Sequence, residues 1–127
     1  MNAPVLKSVA PILFVRDVSV SAAYYRDRLG FAIDFLHGAP PFYGSVSRGN
    51  VCLHLRFVKQ PSFAELAARE VSLILATIEV TDLRVLFEEF TGRGAEFSQT
   101  PTAQSWGGTD FHVRDPDGNA ISFVAFG

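Results

Sequence analysis

The stretch VRDVSVSAAYYRDRLGF, Val15–Phe31, has a counterpart later in the chain, VTDLRVLFEEFTGRGAEF, Val80–Phe97. Each starts with Val-x-Asp at the end of an apolar run. Each then passes through a helical pattern, meets a glycine and enters a new apolar run. The copies start about half a chain apart, and self-similarity on that scale marks a duplicated supersecondary unit. Asp17 and Asp82 stand where a helix N-cap belongs, with side-chain oxygens able to accept the first free backbone N–H groups. Val18, Ala22, Tyr25 and Leu29 fall on one helical face in the first copy; Leu83, Leu86, Phe87 and Phe90 do so in the second. Gly30 and Gly94 follow where a helix ends in a left-handed residue.

Around these helices the other apolar segments read as strands: 9–15, 31–36, 42–47 and 51–58 in the first half, then 73–80, 96–99, 110–114 and 120–126 in the second. Arg48-Gly49-Asn50 and Asp115-Pro116-Asp117-Gly118-Asn119 read as hairpin turns, the latter with Pro fixing φ and Gly supplying φ > 0. Residues 59–70 hold a short helical connector, Phe63-Ala-Glu-Leu-Ala-Ala. The expected fold is α+β: two βαβββ modules, at about 5–60 and 71–127, in a single domain spanning 1–127, with helices on one face of each sheet.

Bulk properties agree with a globular chain. Hydrophobic residues make up 48% and charged residues 19%, which excludes a disordered chain. A net charge of -2 and the lack of any basic run argue against a nucleic-acid partner. Cys52 is the only cysteine, so no internal disulfide can form; it reads as a small buried hydrophobe. The opening MNAPVLKSVAPILFV is too short and too broken to span a membrane and lacks a signal-peptide pattern. The expectation is a soluble, cytoplasmic protein with no membrane partner.

Strand alternation separates two faces. One parity is uniformly apolar: Val9, Pro11, Leu13 and Val15, then Leu53, Leu55 and Phe57, then Ile74, Ala76, Ile78 and Val80, then Ile121, Phe123 and Ala125. That set should pack under the helices. The other parity mixes Ala10, Ile12 and Phe14 with Cys52, His54 and Arg56, Leu75, Thr77 and Glu79, and Ser122 and Val124. Apolar walls with a few convergent polar groups suit a small-molecule cleft. A half-wet sheet face covered by a dimer partner fits the same pattern.

The order Val-Arg-Asp-Val, Tyr24-Tyr-Arg-Asp-Arg-Leu-Gly-Phe31 and Asp115-Pro-Asp-Gly-Asn119, with the repeat, resembles the glyoxalase/bleomycin-resistance/extradiol-dioxygenase (vicinal oxygen chelate) superfamily over nearly the whole chain. The segments Val9–Val18, Arg26–Phe35 and Gln104–Ala125 are most similar to its bleomycin-resistance proteins. The resemblance implies paired βαβββ modules whose curved mixed sheets form a cleft, completed by a second subunit in a homodimer. It places the metal ligands of the family's enzymes at Ala10, His54, Leu75 and Ser122, of which only His54 is a ready ligand. The expectation is therefore no metal and no cofactor, and a protein that sequesters a drug-like or aromatic compound rather than an enzyme. A lyase, isomerase or dioxygenase of the same superfamily is the alternative, and a purely structural partner protein a third. The resemblance also matches Trp106 to an aromatic that stacks on the drug; this chain has one Trp and only a slight negative charge.

The candidate ligand-binding residues are Trp106, His54, Arg56, Tyr43, Phe42, Phe35, Glu79, His112 and Ser122. Trp106, in Ser105-Trp-Gly-Gly108, is badly placed for a core and well placed to stack on a ligand or on a partner subunit. His54 suits hydrogen bonding or acid–base work. Arg56 can pair with Glu79 across the cleft or grip a ligand carboxylate. Phe35, Phe42 and Tyr43 flank the stiff Gly38-Ala-Pro-Pro41 loop as a rim or as a satellite cluster beneath it. His112 has a structural role open to it as well. No catalytic nucleophile can be recognised.

Overall fold

The computed structural model describes residues 3–127. The first half contains β1 (Ile12–Val15), α1 (Val18–Leu29), β2 (Ala32–Gly38), β3 (Pro41–Arg48) and β4 (Val51–Phe57). After the short α2 (Phe63–Arg69) the second half repeats the order with β5 (Ala76–Glu79), α3 (Leu83–Gly92), β6 (Glu96–Ala103), β7 (Gly108–Arg114) and β8 (Ala120–Phe126). Sheet A runs β1-β4-β3-β2 and sheet B runs β5-β8-β7-β6. In each the edge strand β1 or β5 is parallel to its neighbour and the other pairings are antiparallel, so both sheets are mixed. The two βαβββ modules of the sequence are present.

Local chemistry explains the helices. The Asp17 side chain accepts from the Val20 N–H, and Gly30 closes α1 at φ 70° with its N–H bonded to the Tyr25 carbonyl. Val18, Ala22, Tyr25 and Leu29 are all buried, as their spacing required. Asp82 holds the N-cap position of α3 but makes no capping bond; its carboxylate instead accepts from the Thr81 hydroxyl at 3.5 Å. Among the described residues no helix is long and apolar enough to cross a membrane.

Strand limits differ from expectation where the backbone cannot pair. β1 starts at Ile12 rather than Val9, and Val9 is 85% exposed, outside the apolar face assigned to it. Pro11 has no N–H to give; its carbonyl accepts from His54 N, and regular pairing begins one residue later. β5 is likewise short, covering four of the residues in 73–80. β6 extends to Ala103 through two register shifts, and β7 begins at Gly108. Phe57, at the open end of β4, lies exposed although its parity is apolar.

Both modules feed one core. Leu13, Val15, Leu53 and Leu55 from sheet A and Ile78, Phe111, Val113, Ile121 and Phe123 from sheet B belong to one buried cluster, with α1 and α3 contributing Tyr25, Leu29 and Phe90. The Phe90 ring meets Phe111 at 5.9 Å and Phe123 at 5.2 Å, edge-on. Each buried Phe or Leu stabilises the fold by roughly 1.5–3 kcal/mol.

A polar knot joins the halves at one end. Asp115 lies buried at the start of the β7–β8 turn and accepts from Tyr25 Oη, Asp117 N, Asn119 N and Asn119 Nδ2, all at 2.9 Å. Asn119 Nδ2 also donates to the Phe14 carbonyl, Arg16 N donates to Asp117, and Tyr24 Oη donates to the Arg114 carbonyl at 2.6 Å. At the other end Arg48 makes a bidentate pair with Glu89, and Arg28 donates to the Arg93 carbonyl.

Burial pushes the Asp115 carboxyl up to about 6, against the pull of its Asn119 and Tyr25 hydrogen bonds. A carboxyl whose folded value is raised above its ordinary 3.8 contributes stability that is complete below about pH 4 and lost as pH rises through 6. Denaturant unfolding from pH 4.5 to 7.5 should therefore show the stability difference between wild type and Asp115→Asn change by about 2 kcal/mol in that direction. A constant difference across the range contradicts the assignment.

Candidate functional site

Because the apolar parities of both sheets turn toward the common core, their mixed faces turn away from it. The predicted site residues consequently fall into two groups on two sheets. On sheet A, Tyr43 Oη lies 2.8 Å from His54 Nδ1, and the Phe35 ring packs edge-on to His54 at 6.4 Å between centroids. Phe35 is 47% exposed, and Ile12 and Phe14 of β1 are half-exposed on the same sheet. Phe42 lies at the rim, its ring 5.2 Å from His37. This is an open aromatic surface rather than a cluster sealed under a loop.

On sheet B, Trp106, His112 and Ser122 line a cavity of about 380 Å³. Trp106 is 57% exposed, and its ring lies 5.8 Å from that of Phe126. The glycines beside it are required. Gly107 has φ +105°, a region hostile to side chains, and a Cβ at Gly108 would run into the six-membered ring of the indole. His112 faces Ser122 directly across the β7–β8 ladder, and Ser122 faces Thr77 on β5.

The same cavity contains polar residues outside the predicted site set. Asp110 is buried, and its Oδ1 accepts from Gln99 Nε2 at 2.7 Å and Gln104 Nε2 at 2.8 Å. Its Oδ2 lies 3.3 Å from His112 Nε2. Burial pushes the Asp110 carboxyl up, but the hydrogen bonds from Gln104, Gln99 and His112 outweigh it and hold the group below its ordinary value. Asp110 and His112, two apart on β7, share a face, which was the one readable signal; the glutamines reach it from β6 and the following loop.

One expectation is corrected. Arg56 and Glu79 form no ion pair: Arg56 is on β4 of sheet A and Glu79 on the edge strand β5 of sheet B. Glu79 borders a different groove, of about 530 Å³ between the modules, whose polar wall is already closed by the Arg48–Glu89 pair. Trp106 and His54 lie on different sheets of the chain, and neither of these two cavities is lined by both. The positions Ala10, His54, Leu75 and Ser122 are divided between the halves in the same way. Among the described residues no group of three or more His, Cys, Asp or Glu is arranged to hold a metal ion. Cys52 is half-buried and within 3.3 Å of Ser45 Oγ.

Comparison with known proteins places this geometry. The family model described as Glyoxalase/Bleomycin resistance protein/Dioxygenase superfamily matches residues 6–123. The bleomycin-binding protein of bleomycin-producing Streptomyces verticillus, solved with copper(II)-bleomycin, is 28% identical, with coverage of 99% of this chain and 100% of that one and a TM-score of 0.74. The bleomycin resistance determinant encoded on transposon Tn5 is 25% identical, with coverage of 95% and 98% and a TM-score of 0.75. A glyoxalase-related enzyme from Clostridium phytofermentans, at 15% identity, covers 99% of each chain with a TM-score of 0.75 and shares the fold. Comparison with curated proteins gave no match.

Since Trp106 is the only tryptophan, its emission reports on this loop alone. Gly108→Ala should displace the indole, shifting the emission maximum and raising acrylamide quenching while the far-ultraviolet circular dichroism is unchanged. An unaltered emission spectrum would show that Gly108 does not set the position of the ring.

Proposed function

The chain belongs to the glyoxalase/bleomycin resistance protein/dioxygenase superfamily, and from that premise we propose that it is a small-molecule-binding protein that sequesters a planar or aromatic, drug-like compound. The binding cleft in this reading combines sheet A of one protomer with sheet B of a second copy in a homodimer. One observation carries it: two half-exposed aromatic surfaces, Phe35–Tyr43–His54 and Trp106–Phe126, lie on separate sheets that face away from their own core. Large apolar side chains left open on both faces mark surfaces meant to be covered.

Within this cleft Trp106 stacks on one flat face of the ligand and Phe35 with Phe14 supports the other. Tyr43 and His54 supply a hydrogen-bonding pair at the edge, and Arg56 a cation at the exposed end of β4. Phe42 forms the rim, and His112 and Ser122 the polar floor. The relatives solved with bleomycin support a ligand with planar rings. The donor set Ala10, His54, Leu75 and Ser122 offers one imidazole and one alcohol, which does not fit the three protein ligands of a catalytic metal site.

Titration of bleomycin into the protein, followed by Trp106 emission, should give a saturable change at a stoichiometry of one ligand per protomer. Trp106→Ala, followed by calorimetry, should weaken binding about tenfold, the scale of one lost aromatic stack. Sedimentation should show a dimer at micromolar concentration. Failure of bleomycin and of other planar drugs to bind, or binding by a monomer, would refute the reading.

A further inference from the structure

We propose that Asp110 is a positioning residue that makes the floor of the Trp106 cavity a fixed array of hydrogen-bond acceptors, so that the site takes planar ligands bearing N–H donors or a delocalised cation and turns away carboxylates. This rests on the ligand-binding reading above and specifies the ligand's chemistry.

An ionised carboxylate only accepts. Gln99 Nε2 therefore spends its hydrogens on Asp110, at 2.7 Å to Oδ1 and 3.3 Å to the backbone carbonyl. Gln104 Nε2 spends one at 2.8 Å. Both amides are thereby oriented with Oε1 turned away from Asp110, and neither Oε1 has a hydrogen-bond partner among the described residues. The same logic orients His112: at 3.3 Å from Oδ2 its Nε2 turns a proton toward the carboxylate, which leaves Nδ1 on the cavity side of the ring with no partner among the described residues. What remains for a ligand is two amide oxygens, an imidazole nitrogen and a carboxylate.

Little counters that array. The cavity lining contains no lysine or arginine. The hydroxyls of Ser72, Ser122 and Thr77 rotate to suit either partner, and the indole N–H and the second hydrogen of Gln104 are further side-chain donors. Arg114 lines a smaller neighbouring cavity of about 130 Å³ that shares Gln99 and His112, together with Glu70. Arg56, on the other half of the proposed cleft, is the one further cation on the site's faces. An anion placed under Trp106 would be desolvated next to Asp110, whereas an amidinium or amide matches the acceptors with charge-assisted bonds.

The test uses three flat probes of one size, benzamidine, benzamide and benzoate, titrated into the full chain at pH 7 and followed by Trp106 emission and side-chain amide and imidazole ¹⁵N shifts. Benzamidine should bind at least about tenfold tighter than benzoate, with benzamide between them, and should shift the Gln99, Gln104 and His112 signals. Asp110→Asn should collapse the benzamidine-to-benzoate ratio toward one and mix the His112 tautomers, which a merely structural role would not do. The wild-type ratio stands as a test even if that variant does not fold. Benzoate binding as tightly as benzamidine, abolished by Arg56→Ala, overturns the acceptor floor and leaves the binding cleft intact. Absence of binding by all three probes, with bleomycin also silent, overturns both.

Discussion

The buried carboxyl of Asp115 is where the two halves of the molecule are fastened. Tyr25 reaches it from α1, while Asp117 and Asn119 hold it from the β7–β8 turn. Asn119 goes on to bind the Phe14 carbonyl of β1. A buried carboxyl without such partners would be strongly destabilising, so the turn, the helix and the first strand are constrained together. Once α1 is pinned to the second module, the apolar faces of both sheets share one core. The mixed faces then have no other direction than outward. The separation of Trp106 from His54 thus follows from the way the two modules are held together.

That separation gives the two faces different chemistry. Sheet A offers an aromatic wall with Tyr43 and His54 already paired, and one exposed guanidinium, Arg56. Sheet B offers a stacking ring over a polar floor, where Asp110 orders two glutamines and a histidine. Stacking supplies affinity with little selectivity among flat rings, whereas an oriented set of acceptors distinguishes ligands by their hydrogens. A family that keeps one fold for enzymes and for binding proteins changes such groups, not the scaffold.

The fold was legible because its determinants are local. The Val-x-Asp starts, the one-faced apolar spacing of Val18, Ala22, Tyr25 and Leu29 and of Leu83, Leu86, Phe87 and Phe90, and the glycine stops each act within a few residues, and they occur twice. Errors fell at strand ends: Pro11 delays β1, and the register shifts that lengthen β6 depend on its partner β7. The site was half legible. Trp106 ahead of two glycines, and the parity of His54, His112 and Ser122, can be read along the chain. Gln99 and Gln104 cannot, because they matter only through a carboxylate that the β6–β7 pairing brings within reach. The Arg56–Glu79 pairing failed for the same reason in reverse: parity identifies a face but not which of two sheets bears it.

The proposed cleft joins one protomer's sheet A to another's sheet B in a single site. Mixing Phe35→Ala protein with Trp106→Ala protein tests it most directly, after subunit exchange and with bleomycin affinity measured by calorimetry. Each variant alone should bind weakly at every site, since each damages one wall of both clefts. In the mixed dimer one cleft combines the two intact walls and the other the two damaged walls. The account predicts that sites of wild-type affinity reappear in the mixture, one per heterodimer. Uniformly weak binding after complete exchange would contradict it and place the whole site within one chain.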